Sequence, residues 1–172
     1  MPRLVLTVIG DDRAGLVSAL ADVVTAHDGN WEDSQLAELA GKFAGIVVVG
    51  VPAERAAELT AALKELEGLL EVTTHPGAEA TVVADDGGAQ RLTVDLLGND
   101  NPGIVREVSS VLSRHELSIE TMTTGTREAP MAGGLLFEAH VVVRVPLGSD
   151  SGALRADLER LAHELLVDIA VA

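Results

Sequence analysis

The sequence predicts an α+β chain built as two copies of one βαββαβ unit in tandem, each an antiparallel sheet with both helices on one face. Three observations predict it. The chain repeats itself about 88 residues on. Within each copy, apolar β-branched runs alternate with stretches whose apolar residues fall at helical spacing. Gly, Pro and Asp turns punctuate the joins.

The repeat holds its register over long stretches. At a shift of 88, Arg3, Leu4, Gly10, Asp12, Gly15, Val17, Val23, His27 and Glu32 meet Arg91, Leu92, Gly98, Asp100, Gly103, Val105, Val111, His115 and Glu120. Pro52 then meets Pro146 at a shift of 94, so the second copy carries about six extra residues upstream of it. Leu59, Leu63 and Leu66 meet Leu154, Leu158 and Leu161 at 95. The register breaks only where loops should lie.

The elements follow in order. Arg3 to Ile9 is apolar and β-branched, a buried strand. Gly10 to Arg13 is a turn, with Asp12 placed as a helix N-cap. Leu16, Leu20, Val23 and Val24 give the next helix one apolar face, and Gly29 is its expected stop. Asn30 to Leu39 has no clear period, but Gly41 and Lys42 turn it into Ile46 to Val51, a strand. Pro52 opens a second amphipathic helix through Leu66, and Leu69 to Thr74 is a fourth strand. In the second copy, Leu92 to Leu97 is a strand and Pro102 to Arg114 a helix with Pro in its first turn. Leu117 to Thr126 and Leu135 to Val145 form a hairpin around an enlarged loop, Arg127 to Gly134. Ser151 to Leu166 is a helix, and Val167 to Val171 the last strand.

This order, with two right-handed crossovers per copy, is a ferredoxin-like sandwich occurring twice. The expected domains are 1–76 and 91–172, joined by a linker over 77–90 that holds Pro76's successors Gly77, Asp85, Asp86 and Gly87. Each sheet keeps a face without helices, which predicts pairing of edges or faces, between the two copies or between two chains of a homo-oligomer such as a dimer.

Composition narrows the function. The 172 residues are 47% hydrophobic but hold only Trp31, Phe43 and Phe137 as aromatics, so the cores must be aliphatic. With no cysteine there are no disulfides, thiolate metal sites or cysteine nucleophiles, which fits a cytoplasmic protein. No apolar run approaches the roughly 20 residues of a membrane span, and the N-terminus lacks a signal peptide's pattern. A net charge of −15 without a Lys/Arg cluster opposes direct binding to nucleic acid.

No motif for catalysis stands out. Ser18, Ser34, Ser109 and Ser118 lack a nucleophile elbow, and no carboxylate pair recurs with distinctive spacing. The turns have neither a G-x-G-x-x-G nor a GK[ST] signature. His27 and His115 fall at helix C-termini, where the dipole favours a cation, with no second ligand at i+3 or i+4; His75, His140 and His163 are scattered. The chain is therefore read as a non-enzyme with no metal site and no cofactor.

The turn after each first strand carries a resemblance. Gly98-Asn99-Asp100-Asn101-Pro102-Gly103-Ile104-Val105 resembles the G-x-D-x-P-G-[LIV]-[LIV] turn of the ACT domain family. Gly10-Asp11-Asp12-Arg13-Ala14-Gly15-Leu16-Val17 resembles it with Ala14 in place of the proline. Asn30-Trp31 and Ser118-Ile119 stand where the family often has N-[IV], so each copy departs once. Two such domains and little else are similar to the glycine cleavage system transcriptional repressor group.

The resemblance implies a regulatory protein that senses a small amino acid or related metabolite at domain interfaces and modulates a partner protein. It implies ligand contacts at Asp12, Arg13, Ala14, Gly15, Leu16 and Val17 with Asn30, and at Asp100, Asn101, Pro102, Gly103, Ile104 and Val105 with Ser118. Physics supports the place: a helix N-terminus offers free N–H groups and partial positive charge to a carboxylate. Asp12 and Asp100 serve as caps or hold an α-ammonium group; Gly15 and Gly103 admit a ligand or tight packing. Arg13 clasps a carboxylate or sits in solvent, and Trp31 belongs to core, interface or pocket. The other functional reading is an oligomerisation module that binds nothing small.

Overall fold

The computed structural model describes residues 1–78, 88–131 and 133–172. The chain divides into two compact units, Met1–Val83 and Ala84–Ala172. The middle of the expected linker, residues 79–87, lies outside the described residues.

The first unit runs β1 (Arg3–Asp11), α1 (Leu16–Ala26), β2 (Asn30–Leu39), β3 (Lys42–Gly50), α2 (Ala56–Lys64) and β4 (Glu71–Pro76). The second repeats it as β5 (Gln90–Asn99), α3 (Ile104–Arg114), β6 (Ser118–Glu128), β7 (Leu135–Val145), α4 (Ser151–Leu165) and β8 (Val167–Val171). The sheets are ordered β2-β3-β1-β4 and β6-β7-β5-β8, and every pairing is antiparallel. These are the two βαββαβ units the repeat predicts. Asn30 to Leu39, which lacks a clear period, is an edge strand with most side chains exposed.

Each core is aliphatic and forms on the helix-bearing face. Leu6 and Val8 of β1, with Val47 and Val49 of β3, meet Leu16, Leu20 and Val24 of α1 and Leu59 and Leu63 of α2. In the second unit Leu92, Val94 and Leu96 meet Ile104, Val108, Val111 and Leu112 of α3 and Leu154, Leu158 and Leu161 of α4. Among the described residues no polar side chain is buried. Each fully buried Leu or Val stabilises its unit by about 1.5–3 kcal/mol.

Several ends differ from expectation, each for a local reason. Helix α2 begins at Ala56, because Pro52 lies in a turn closed by the Arg55 amide donating to the Pro52 carbonyl at 2.9 Å. Strand β4 begins at Glu71, because the amides of Leu69 and Leu70 both donate to the Leu66 carbonyl at 2.9 Å and prolong the preceding turn. Pro102 precedes helix α3 instead of opening it, since Gly103 at φ 97° is its N-cap. Gly29 does not supply the left-handed residue after α1; Asp28 does, at φ 57°. The Gly29 amide then donates to Val24 and the Asp28 amide to Thr25, a Schellman ending. Gly29 is needed for contact: a Cβ there would lie 2.8 Å from Val24 Cγ1. None of the described helices is long and apolar enough to cross a membrane.

Candidate functional site

The turn between β1 and α1 is built on backbone. Gly15 takes φ 91°, ψ 0° and Gly103 φ 97°, ψ −5°, left-handed conformations that glycine adopts without cost. Nothing stands within 4 Å of a Cβ built at either, so tight packing is not the reason for them. The open side also leaves the backbone approachable from solvent.

Neither helix start is capped by a side chain. This corrects the capping role read for Asp12 and Asp100: the N-cap is the glycine three residues later, beyond their reach. Their amides do other work. That of Asp12 donates to the Gly41 carbonyl at 2.9 Å and that of Asp100 to Leu135 at 2.8 Å, tying each turn to the neighbouring hairpin. The first-turn N–H groups, from Leu16 and Val17 or Ile104 and Val105, therefore have no side-chain acceptor, the condition in which a helix start receives an anion.

The side chains around this backbone differ in kind. Leu16 and Ile104 are each only 3% exposed and belong to the cores, so what they offer a ligand is N–H alone. Val17 and Val105 are 44% and 42% exposed beside them. Asp12, Arg13, Ala14, Asn101 and Pro102 are all exposed. Arg13 has no ion pair or hydrogen bond among the described residues, whereas Asn101 Nδ2 donates to the Asn99 carbonyl at 3.3 Å. Asp11 accepts from Lys42, and that hydrogen bond, then the Lys42 and Arg13 charges, hold its carboxyl below its usual range.

Asn30 and Ser118 stand elsewhere. Asn30 pairs with Gly50, which pairs with Arg3 at the beginning of β1; the turn follows Asp11, which pairs with Lys42. The two places are thus a full strand apart, roughly 26 Å at the antiparallel rise per residue. Ser118 opposite Arg144 and Arg91 repeats the arrangement. A single unit does not bring the turn and the start of its edge strand together.

Two features of the fold have no signal in the residue spacing. Arg3 pairs with Glu32, and Arg91 and Arg144 with Glu120, at β-bulges in the edge strands. Both partners were visible as repeat equivalents, but nothing in spacing joined them. On the helix-free face of the second unit, a cavity of about 580 Å³ is lined by Asp95, Thr123, Glu138, His140 and Asp168 among others. There His140 Nδ1 lies 2.5 Å from Asp95 Oδ1. The corresponding pair in the first unit is Thr7 and Ile46.

His27 and His115 are the C-cap residues of α1 and α3. His27 Nδ1 lies 2.8 Å from the Val23 carbonyl, and His115 Nε2 lies 2.7 Å from Asp157 Oδ2 on α4. Trp31 is half-buried and packs against the first core. Among the described residues no three His, Asp or Glu are grouped to hold a metal.

The ACT domain family model matches residues 2–76 and again 90–172. The UPF0237 protein of Methanopyrus kandleri is 41% identical over 84 residues, covering 47% of this chain and 84% of that protein. Among solved structures, an unknown protein from Galdieria sulphuraria shares 29% identity with a TM-score of 0.86, over 99% of this chain and 96% of that one. A provisionally assigned glycine cleavage system transcriptional repressor shares 16% identity with a TM-score of 0.70, over the same 99% and 96%.

Proposed function

Because the chain belongs to the ACT domain family over both of its units, we propose that it is a regulatory protein that binds a small amino acid or a close relative and modulates a protein partner. One observation carries the proposal. Both units present, at the same place, an exposed helix start with a left-handed glycine and no side chain capping its N–H groups. A ligand carboxylate satisfies those donors, and Asp12 or Asp100 nearby takes the α-ammonium group.

The distance from each turn to Asn30 or Ser118 adds a requirement: another unit completes the site, and we assign it to a second copy of the chain. β2 is an edge strand, and antiparallel pairing of two β2 edges from different copies carries Asn30 of one toward the turn of the other. Binding and assembly are then linked, and ligand reaches the partner through the change in assembly. The charge of −15 points to a protein partner rather than to nucleic acid, and the reading places the chain in the cytoplasm without catalytic activity.

The likeness to a glycine cleavage repressor is one of fold, and it makes glycine the first ligand to try. Thermal unfolding with each of the twenty amino acids tests the reading. A ligand at a hundred times its Kd adds about 2.7 kcal/mol, which for units of this size raises Tm by roughly ten degrees or more. Val17→Asp and Val105→Asp place a carboxylate over the same N–H groups and abolish the shift while keeping the helices stable. No shift with any amino acid at millimolar concentration would leave the alternative, an oligomerisation module without a small ligand, to which the departures at Ala14 and Ser118 belong.

A further inference from the structure

The same clasp has been kept twice. Arg3 Nε donates to Glu32 Oε2 at 2.6 Å, and Arg91 Nε to Glu120 Oε2 at 2.6 Å. Both glutamates are the extra residue of a β-bulge, where the register of the edge strand shifts between Trp31 and Asp33 and between Ile119 and Thr121. The glutamate side chains are 26% and 19% exposed and their arginines 38% and 65%, so both pairs reach solvent.

What lies beside them differs. A Cβ built on Gly50 would stand 2.5 Å from Glu32 Oε1, so the first unit makes room by having no side chain there. The second unit has Arg144 at that register, donating to Glu120 Oε1 from Nε at 2.9 Å with Nη2 at 2.6 Å. The Arg91 and Arg144 hydrogen bonds hold the Glu120 carboxyl below its usual range. The rest of the helix-free face has diverged, as Thr7 and Ile46 against Asp95 and His140 show.

An ion pair open to solvent contributes little stability, so its recurrence at one bulge in two diverged units points to geometry. An edge strand has a neighbour on one side only, and a bulge interrupts even that ladder while re-aiming the side chains around it. Asn30 and Ser118 lie two residues before the bulges, across from Gly50 and Arg3 and from Arg144 and Arg91. We propose that Glu32 and Glu120, each held by the arginine of its unit's first strand, are positioning residues that fix the bulged start of the edge strand and with it the aim of Asn30 and Ser118. The proposal rests on the amino-acid-binding reading only for what those side chains touch; their aim is a property of the ligand-free chain.

The test uses the full chain with Glu32→Gln, and separately Gly50→Ala, which puts a methyl group in the carboxylate's place. Amide hydrogen exchange over residues 30–33 is measured without ligand, and glycine and L-serine are titrated into each variant. Exchange about tenfold faster in both variants, with global unfolding nearly unchanged, is expected. Affinity for whichever amino acid binds should fall about tenfold, equal to about 1.4 kcal/mol, and Glu32→Gln should cost nothing further in an Asn30→Ala background. Unchanged exchange overturns the proposal, and so does an undiminished loss in the Asn30→Ala background. Should neither amino acid bind the wild-type chain, the binding reading fails by itself and the exchange measurement still decides the clasp.

Discussion

Gly15 and Gly103 show what a residue's identity demands here: a backbone angle and nothing else, since the space beyond each Cα is open. Gly15→Ala or Gly103→Ala should therefore destabilise its unit by about 1 kcal/mol from backbone strain alone, seen as a Tm lower by roughly 4–8 °C. A loss of several kcal/mol would mean that a packing contact had been disturbed instead. Glu116 is the reverse case, a side chain held at φ 57° where glycine would be at ease. Its Schellman bonds, from Glu116 to Ser113 and from Leu117 to Leu112, do not need the carboxylate. Setting the left-handed penalty of ~1–2 kcal/mol against glycine's extra entropy of ~0.5–1 kcal/mol, Glu116→Gly should stabilise the protein by about 0.5–1 kcal/mol in urea titrations. The glycine turn was legible residue by residue because glycine adopts such angles without cost. The caps were not: an Asp at 12 or 100 fits the capping composition, but the helix starts further on and the Asp amides serve the hairpin instead.

Between elements, the helices of the second unit are joined by His115 at the end of α3 and Asp157 on α4. The His115 hydrogen bond, followed by the charges of Arg160, His115 and Arg114, holds the Asp157 carboxyl below its usual range. A carboxyl with a lowered folded pKa stabilises the fold wherever the unfolded chain would ionise it, above pH ~4, and that stability disappears as pH falls through the folded value. Asp11 and Glu120 have lowered pKa values and act in the same direction. Urea unfolding between pH 2 and 7 should show stability falling below pH ~4, with a shallower fall in Asp157→Asn. An equal slope in that variant would remove Asp157 from the acid transition. Element type was legible wherever one face is buried, as in β3 with Val47 and Val49 or α1 with Leu16, Leu20 and Val24, because burial imposes the period. The edge strand β2 is exposed on most positions and carries a bulge at Glu32, so no period survives in its sequence. For the same reason the clasp with Arg3 could be seen only as two matching letters in a repeat.

At the scale of the molecule, the candidate site is legible as a list of residues but not as a place. Chain order sets Asn30 fifteen residues after Gly15, whereas the sheet sets them at opposite ends of a strand. If a second copy completes the site, two defects in different copies must complement each other. In a background of Val105→Asp, which closes the second unit's turn, one chain carries Val17→Asp and another Asn30→Ala. Each alone should bind about tenfold more weakly or not at all, because every site in its oligomer joins one defect to an intact partner. In a mixed dimer, one site combines both defects and the other combines the intact turn with the intact Asn30. Mixing should therefore restore up to half of the sites in the mixed species, read as stoichiometry by titration calorimetry with the amino acid that binds the wild-type chain. Assembly must overcome the repulsion of two chains at −15 each, so restoration should improve between 50 and 500 mM salt as screening shortens to within ~14 to ~4 Å. No recovery on mixing, with mixed oligomers shown by mass spectrometry to have formed, would confine the site to one copy and remove the link between ligand and assembly.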